Sequence, residues 1–227
     1  MLYDLEAVKA NIRNREGKRV FFLAKGDQMT SEGRDFLNRE RIEIRPGESA
    51  AIREYRLLNG GVMTEKPEYM THLCGDILVS KNHPRIAFRG AVDTLEAEIL
   101  LCQEASPHLH GPLQEILELT RKLIRWEVME EKAEETLLCG MTPEELRKRS
   151  HFPQNFYGQP HFMPAVSDGL TVLRLNRARC AARHAELCGV AAFVNAEGQT
   201  TRGDLLQVLN RLSSILYILM IQEKAKR

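Results

Sequence analysis

The sequence predicts a mainly α-helical protein, a four- to five-helix bundle with a small α/β extension at its N-terminus. Two observations favour this fold class. Beyond the first sixty or so residues, long segments with the apolar spacing of α-helices alternate with short clusters of Gly and Pro. Before that point the apolar runs are short and β-rich. A chain of this length fits one main domain with an appendage.

The α/β extension is predicted over residues 1–62 and the helical domain over residues 63–227. Within the extension, "RVFFLA" predicts a strand and "IEIR" predicts a second one. Between them lies a predicted helix that Thr30 or Ser31 would cap, because a hydroxyl can accept a hydrogen bond from the first turn. Gly60-Gly61 marks the linker, since paired glycines interrupt regular structure.

The predicted helices of the second part follow in order. The stretch "VSKNHPRIAFRGAVDTLEAEILL" leads into the first apolar helical face. In the second helix, apolar residues recur at steps of four and seven, at Leu113, Leu117, Ile124 and Val128. "TPEE" at Thr142 predicts a third helix with a capped start. Two further helices are predicted over about 169–192 and 201–224.

Composition argues against several classes of function. The formal net charge is +1 at pH 7, so no global field attracts nucleic acid or an anionic membrane. Five cysteines without a C-x-x-C pair indicate neither a disulfide framework nor a zinc knuckle, and they fit a reducing cytosol. The most apolar run, "ILYILMI", is far shorter than the roughly 18 residues that suggest a membrane span. We therefore expect a cytoplasmic protein without a secretory leader.

Common nucleotide and metal motifs are absent from the sequence. Neither G-x-x-x-x-G-K-[ST] nor G-x-G-x-x-G occurs, so a nucleotide would not bind through a P-loop or a Rossmann turn. The Glu-x-x-His pairs of di-metal helical bundles are also missing. His108 and His110 lie in a predicted loop and are better interpreted as surface residues than as metal ligands.

Charged residues on one helical face form the first candidate site. In "RLNRARCAARHAEL", Arg179, Arg183 and Glu186 are spaced i, i+4 and i+7, which places them on one stripe. The spacing alone favours a solvated face with ion pairs. The alternative is a grip on a polyphosphate, because guanidinium groups are fixed, permanently charged donors. Asn210 interrupts the last, nearly all-apolar helix, where it makes either an inter-helix hydrogen bond or a ligand contact.

Four separated segments carry a family resemblance: "KPEYMTHL", "VSKNHPRIAFRGAVDTLEA", "LNRARCAARHAE" and "LLQVLNRLSSILYILMI". Together they resemble the ATP:cob(I)alamin adenosyltransferases, specifically the ethanolamine-utilization branch, over about residues 65–225. The resemblance implies a helical bundle that forms a homo-oligomer, a trimer or a dimer, with active sites between subunits. It also implies transfer of the 5′-deoxyadenosyl group of ATP to the cobalt of reduced cobalamin.

The resemblance assigns roles to individual residues. Arg179 and Arg183 match the arginines that hold the triphosphate of ATP. Glu186 matches the acidic residue that follows them, and Asn210 matches an asparagine that contacts ATP. Asp93 matches the aspartate that pairs with the first arginine, so Asp93 and Arg179 are the expected catalytic residues.

The resemblance also assigns positions near the nucleotide and near cobalamin. Lys81 and Arg85 match a lysine and an arginine near the nucleotide, and Lys66 is an expected ATP contact. Phe162 matches the aromatic residue that fills the lower axial side of cobalamin. Phe152 lies in the same loop and is an alternative to it, as is Phe156.

Two departures from the family pattern bear on cofactors. The glycine-rich phosphate loop of the propanediol-type relatives is not reproduced around "TEKPEYMTHL". The segment "IREYRLLNGGVMTEKP" lacks the His and Cys cluster that binds metal in some ethanolamine-branch members. We therefore expect ATP with Mg²⁺ as the cofactor and cobalamin as the second substrate, with no metal site and no tightly bound Zn or Fe.

The resemblance also implies a physiological setting. The expected role is the supply of adenosylcobalamin, for ethanolamine ammonia-lyase, in the cytoplasm or a bacterial microcompartment. That lyase and the microcompartment are expected contacts, whereas nucleic acid and membrane are not. Two alternatives stay open: a non-catalytic module that binds or delivers corrinoid with the same bundle, and a structural bundle whose charged residues pair between helices.

Overall fold

A computed structural model describes residues 2–15, 18–47 and 54–226 of the chain. The chain divides into two compact units. The N-terminal unit consists of Met1–Arg56 with Gly60–Glu65, and the helical unit consists of Leu57–Asn59 with Lys66–Arg227.

The N-terminal unit combines short strands with two short helices. Its elements are β1 Leu2–Tyr3, α1 Leu5–Ala10, β2 Arg13–Arg15, β3 Lys18–Ala24, β4 Gln28–Met29, α2 Ser31–Arg39, β5 Glu43–Gly47, β6 Tyr55–Leu57 and β7 Val62–Met63. β1 pairs with β4 in parallel, β3 pairs with β2 antiparallel and with β5 in parallel, and β6 pairs with β7 antiparallel. Val8, Phe21 and Leu37 are fully buried and form the centre of its core.

Both helices of this unit begin at a side-chain cap. Thr30, one of the two predicted candidates, caps α2 by accepting a hydrogen bond from the Gly33 N–H at 3.3 Å. Asp4 caps α1 by accepting a hydrogen bond from the Ala7 N–H at 2.8 Å. α1 is not predicted from the sequence, because its six residues are too few for a periodic apolar signal.

The second unit is helical, which confirms the predicted fold class. Its elements are β8 Met70–Cys74, β9 Ile77–Ser80, α3 Pro84–Ala105, α4 His110–Val128, α5 Pro143–His151, α6 Pro153–Tyr157, α7 Gly169–Phe193 and α8 Gly203–Ala225, with single 3-10 turns at Pro107–Leu109 and Val166–Asp168. β8 and β9 form an antiparallel hairpin that leads into α3. Thr142 caps α5 in a complete capping box with Glu145, as its sequence predicts.

α7 lies at the centre of the bundle, packed against both α3 and α8. Small residues on one stripe of α7, Ala178, Ala182 and Ala185, are fully buried and allow close helix packing. α8 is buried on most of its surface. By length and composition alone α8 could also cross a membrane, but 56% of its most apolar window is buried inside the protein, and a core helix meets the same criterion.

Candidate functional site

A polar cavity of about 240 Å³ lies between α7, α8, the end of α5 and the loop that follows α6. We call it the α7–α8 cavity. It is lined by Ser150, His151, His161, Arg179, Arg183, Asn210, Ser213, Ser214 and Tyr217. Three residues that the sequence analysis singled out, Arg179, Arg183 and Asn210, therefore meet at one place.

The packing of α7 explains why its arginines face this cavity. The alanine stripe of α7 is buried, so residues on the neighbouring stripe turn toward α8. Arg179 and Arg183 are one turn apart on that stripe. We call these two arginines, with Asn210 of α8 opposite them, the open cluster.

Neutral groups hold the guanidinium of Arg179 in place. Its Nε and Nη2 both donate to Oδ1 of Asn176, at 3.3 and 3.1 Å, and it lies over the ring of Tyr217 with the centroid 5.6 Å away. Arg183 is exposed, and no hydrogen bond or ion pair joins it to another described residue. Within the described part of the chain, neither of these two side chains forms an ion pair with a carboxylate.

Asn210 connects the two helices through its side-chain amide. Its Nδ2 donates to Oε1 of Glu186 on α7 at 3.0 Å, and its Oδ1 accepts from Nη1 of Arg211 at 2.7 Å. The hydroxyls of Ser213 and Ser214 donate to the carbonyl of Asn210, at 2.9 and 3.0 Å. The polar residues that interrupt α8 are thus satisfied largely within α8 itself, while Glu186 lies directly beside the cavity.

A histidine–tyrosine pair, which is not predicted from the sequence, also lines the cavity. His161 Nδ1 and the Tyr217 hydroxyl are 2.8 Å apart, and the rings are stacked with centroids 5.7 Å apart. His161 Nε2 lies 3.1 Å from the backbone carbonyl of His151. Because a carbonyl can only accept, Nε2 carries a proton, and in the neutral ring Nδ1 accepts from Tyr217. Burial raises the pKa of Tyr217, so this hydroxyl keeps its proton at neutral pH.

Other predicted site residues lie away from this cavity. Lys66, Lys81 and Asp93 are exposed, and none of them is among the residues that line it. Within the described chain, the Asp93 carboxylate is not a partner of Arg179, whose guanidinium contacts are neutral. The expected Asp93–Arg179 pair is therefore absent from the single chain, and the roles of these residues stay predictions.

Phe162 lies in the loop before α7 and is half-buried. It packs against the main core, and Nζ of Lys224 is 5.6 Å from its ring centroid. The alternatives Phe152 and Phe156 are more exposed. Phe162 is thus the best held of the three rings, although its predicted contact with cobalamin stays a prediction.

Arg85 belongs to a separate cluster at the start of α3. Arg85 Nε lies 2.5 Å from Oε1 of Glu127, and Arg89 Nε lies 2.6 Å from Oε2 of the same carboxylate. Glu127 of α4 is fully buried, and Arg89 also donates to the carbonyls of His72 and Leu73. We call Arg85, Arg89 and Glu127 the closed cluster. Arg85, expected near the nucleotide, is thus bound to protein, and its role in ATP binding stays a prediction.

Within 2–15, 18–47 and 54–226, no group of three or more His, Cys, Asp or Glu side chains is arranged to hold a metal ion. Glu186, through its bond to Asn210, is a carboxylate at the edge of the α7–α8 cavity.

Comparison with known proteins defines the class to which this fold and site belong. The family model for cobalamin adenosyltransferase matches residues 62–223, well over half of the chain. The chain therefore belongs to the cobalamin adenosyltransferase family.

Two curated relatives narrow the similarity. The corrinoid adenosyltransferase EutT of Salmonella typhimurium (strain LT2) is 31% identical over 169 residues, which cover 72% of this chain and 62% of that relative. The corrinoid adenosyltransferase EutT of Escherichia coli (strain K12) is 30% identical over 166 residues, which cover 73% of this chain and 62% of that relative. The chain thus matches less than two thirds of the length of these relatives.

One solved structure is also similar. It is a variant of a PduO-type ATP:corrinoid adenosyltransferase from Lactobacillus reuteri, complexed with cobalamin and ATP. The match covers 74% of this chain and 87% of that chain, at 19% identity and a TM-score of 0.46. A likeness at this level carries no information about the site.

Proposed function

We propose that the protein is an ATP:cob(I)alamin adenosyltransferase, which transfers the 5′-deoxyadenosyl group of ATP to the cobalt of reduced cobalamin. The observation that carries this proposal is the meeting of Arg179, Arg183 and Asn210 at one cavity in a member of the cobalamin adenosyltransferase family. The names of the two curated relatives support the same reaction class.

The two arginines of the open cluster would bind the triphosphate of ATP. Arg179 is held by Asn176 and Tyr217 before any ligand arrives, so little side-chain freedom would be lost on binding. Arg183 adds a second guanidinium one turn away, and neither guanidinium forms an ion pair with a carboxylate of the described chain. Unpaired guanidinium groups are well suited to polyphosphate oxygens, which they can bind in a bidentate manner.

The proposed transfer is a displacement at C5′ of ATP. The electron pair of cobalt(I) forms the Co–C5′ bond, the C5′–O bond breaks, and its electron pair leaves with the triphosphate. Cob(I)alamin is itself a strong nucleophile, so the step needs no general base and transfers no proton. The protein would contribute alignment of cobalt with C5′ and stabilisation of the negative charge on the leaving group.

We propose that the complete site forms between subunits of a homo-oligomer, a trimer or a dimer. The α7–α8 cavity has a volume of about 240 Å³, below the roughly 300–1,000 Å³ typical of small-molecule sites. Lys66, Lys81 and Asp93 are exposed outside it and would be free to complete the site of a neighbouring subunit. In such an assembly Asp93 of one subunit would pair with Arg179 of the next.

We propose specific roles for the remaining groups. Phe162 would cover the lower axial side of cobalamin, because the core and Lys224 hold its ring in a fixed position. Mg²⁺ would accompany ATP, bound mainly by phosphate oxygens, with Glu186 as the nearby carboxylate. No resident Zn or Fe is proposed, and stoichiometric Zn or Fe in the purified protein would contradict this.

The proposed physiological role is the supply of adenosylcobalamin to ethanolamine ammonia-lyase. It rests on the similarity to the two EutT relatives, and it places the protein in the cytoplasm or in a microcompartment with that lyase. A pull-down of the lyase by the full-length chain would support the contact.

The decisive experiment mixes the protein with ATP and chemically reduced cobalamin. We expect the light-sensitive spectrum of an alkyl-cobalamin, and we expect Arg179→Ala to abolish it while the helical circular dichroism is unchanged. Lys122→Ala, which removes an exposed cation on α4 outside the site, is the matched control. ATP binding without product would favour a corrinoid-binding or delivery module, and absence of ATP affinity would favour a structural bundle.

A further inference from the structure

A second cavity with cationic lining lies between α5 and α8. Its volume is about 540 Å³, and we call it the α5–α8 cleft. Arg147, Lys148 and Arg211 line it together with His151 and one carboxylate, Glu144. Three permanent cations face a single anion there, so the formal charge of the lining is positive.

None of the three cations has a carboxylate partner among the described residues. Arg147 is exposed and makes no ion pair or hydrogen bond with its side chain. Lys148 lies 5.9 Å from the ring centroid of Phe156, which is a neutral partner. Arg211 donates through Nη1 to Asn210, and its Nε is buried without a hydrogen-bond partner. A buried donor without an acceptor is costly, and an anion in the cleft would supply the acceptor.

The electrostatics of Arg211 agree with this geometry. Burial lowers the pKa of Arg211, and the neighbouring charge of Arg147 lowers it further, while Glu144 and Glu186 act in the opposite direction. The environment thus disfavours the charged guanidinium more than its two nearby carboxylates favour it. An anion bound in the cleft would favour the charged form of Arg211 and so act against the lowering of its pKa.

We propose that the α5–α8 cleft is a second phosphate-binding site, separate from the α7–α8 cavity. Arg147 and Arg211 offer guanidinium forks to phosphate oxygens, and Lys148 adds a mobile point charge. His151 is the one described residue that lines both cavities, so the two sites are neighbours with different arginines. The proposal does not rest on the transferase reaction, since it requires only binding.

Two sources of phosphate would fit this site. One is a free polyphosphate such as the triphosphate that leaves ATP, and the other is the phosphodiester in the nucleotide loop of cobalamin. Both present negatively charged oxygens to the same three cations, and they can be separated by experiment.

The test is a calorimetric titration with inorganic triphosphate. The variant Arg179→Ala/Arg183→Ala removes the cations of the α7–α8 cavity, and we expect it to keep one binding event per chain. Adding Arg147→Ala and Lys148→Ala should then weaken this event at least roughly tenfold, because charge-assisted contacts are lost. Arg149→Ala is the matched control, since Arg149 of the same helix pairs with Glu145 at 3.6 Å and does not line the cleft.

Two results would overturn the proposal. One is complete loss of triphosphate binding in Arg179→Ala/Arg183→Ala while circular dichroism shows a folded chain. The other is residual binding that Arg147→Ala/Lys148→Ala does not change. If the quadruple variant does not fold, the double variant Arg147→Ala/Lys148→Ala of the otherwise unchanged chain replaces it, and one of the triphosphate-binding events should weaken at least roughly tenfold while the other is unchanged.

A second titration identifies the source of the phosphate. Cobalamin carries the phosphodiester, whereas cobinamide lacks the nucleotide loop. If Arg147→Ala/Lys148→Ala weakens binding of cobalamin but not of cobinamide, the cleft binds the corrinoid phosphodiester. If it weakens only inorganic triphosphate, the cleft binds polyphosphate. Because neither titration requires adenosyl transfer, an inactive enzyme would contradict the proposed function without affecting this result.

Discussion

The closed cluster and the open cluster each contain two arginines of the helical unit, but different groups face the charge of those arginines. In the closed cluster, Arg85 and Arg89 share the fully buried carboxylate of Glu127. In the open cluster, Arg179 is held by an amide and an aromatic ring, and Arg183 has no described partner. In both clusters the two arginines are one turn apart on a long helix.

The difference arises from what the neighbouring helix presents. α4 places a carboxylate, Glu127, against the arginines of α3, whereas α8 places a neutral amide, Asn210, in the lining of the same cavity as the arginines of α7. A shared buried carboxylate neutralises the charge of both arginines and joins the two helices through ion pairs. A neutral partner leaves that charge available to an anionic ligand. Arginine spacing by itself therefore does not distinguish a structural cluster from a binding site.

The largest effect is expected when the closed cluster is broken. Glu127→Gln would remove the buried charge that faces both Arg85 and Arg89, which should lower the free energy of unfolding by about 3–5 kcal/mol. Urea denaturation followed by circular dichroism measures this change. Glu118→Gln on the exposed side of α4 is the control and should change stability by less than about 0.5 kcal/mol. A loss below about 1 kcal/mol for Glu127→Gln would contradict a stabilising role for the closed cluster.

In the open cluster we expect a substitution to lower activity and to leave stability almost unchanged. Under the proposed function, Arg183→Ala should lower kcat/KM for adenosyl transfer roughly 100-fold, because the variant lacks a cation that would stabilise the leaving group. Stability should change by less than about 0.5 kcal/mol, since Arg183 is exposed and has no described partner. Steady-state kinetics and urea denaturation of the same preparation separate the two effects. Comparable losses of stability in Arg183→Ala and Glu127→Gln would remove the distinction between the clusters.

A smaller effect is expected at the amide that completes the open cluster. Asn210→Ala removes a hydrogen bond to Glu186 and another to Arg211, so we expect KM for ATP to rise about tenfold. Asn155→Ala, in the exposed part of α6, is the matched control. An unchanged KM for ATP in Asn210→Ala would mean that the open cluster does not depend on Asn210.

The smallest effect is expected in the helix that carries one rim of the α7–α8 cavity. Thr142→Ala removes the cap of α5 and should cost about 1 kcal/mol of stability, with kcat for adenosyl transfer unchanged. Thr142→Ser keeps the hydroxyl and should restore most of the loss. Thermal unfolding of wild type, Thr142→Ala and Thr142→Ser measures the contribution of the cap. If kcat falls in Thr142→Ala but not in Thr142→Ser, α5 contributes to the function of the open cluster.

Local signals predict much of the fold. The helices predicted over 169–192 and 201–224 correspond to α7 and α8 within two residues at each end, because long periodic segments define a helix clearly. The cap at Thr142 follows from chemistry inside a single turn. α1 and α6, with six and five residues, are too short to show a period, and the sequence analysis does not predict them.

The site is predictable only in part. Helical period places Arg179 and Arg183 on one stripe, but no local pattern states what lies opposite them. His161 and Tyr217 are 56 positions apart, and their pairing depends on how a loop folds over α8. Glu127, which binds Arg85 across 42 positions, is likewise invisible to spacing. Tertiary contacts between distant segments decide which charges are neutralised.

The side-chain amide of Asn210 has only one orientation compatible with its neighbours. The Glu186 carboxylate can only accept a hydrogen bond and the Arg211 guanidinium can only donate one, so the nitrogen and the oxygen of the amide cannot exchange places. One N–H and one lone pair then remain for a ligand. A nucleobase edge, which sets a donor beside an acceptor, can use both, whereas a phosphate can use only the N–H. Under the proposed function, this fixed amide orientation would favour the nucleoside end of ATP at Asn210 and leave the triphosphate to Arg179 and Arg183 of α7.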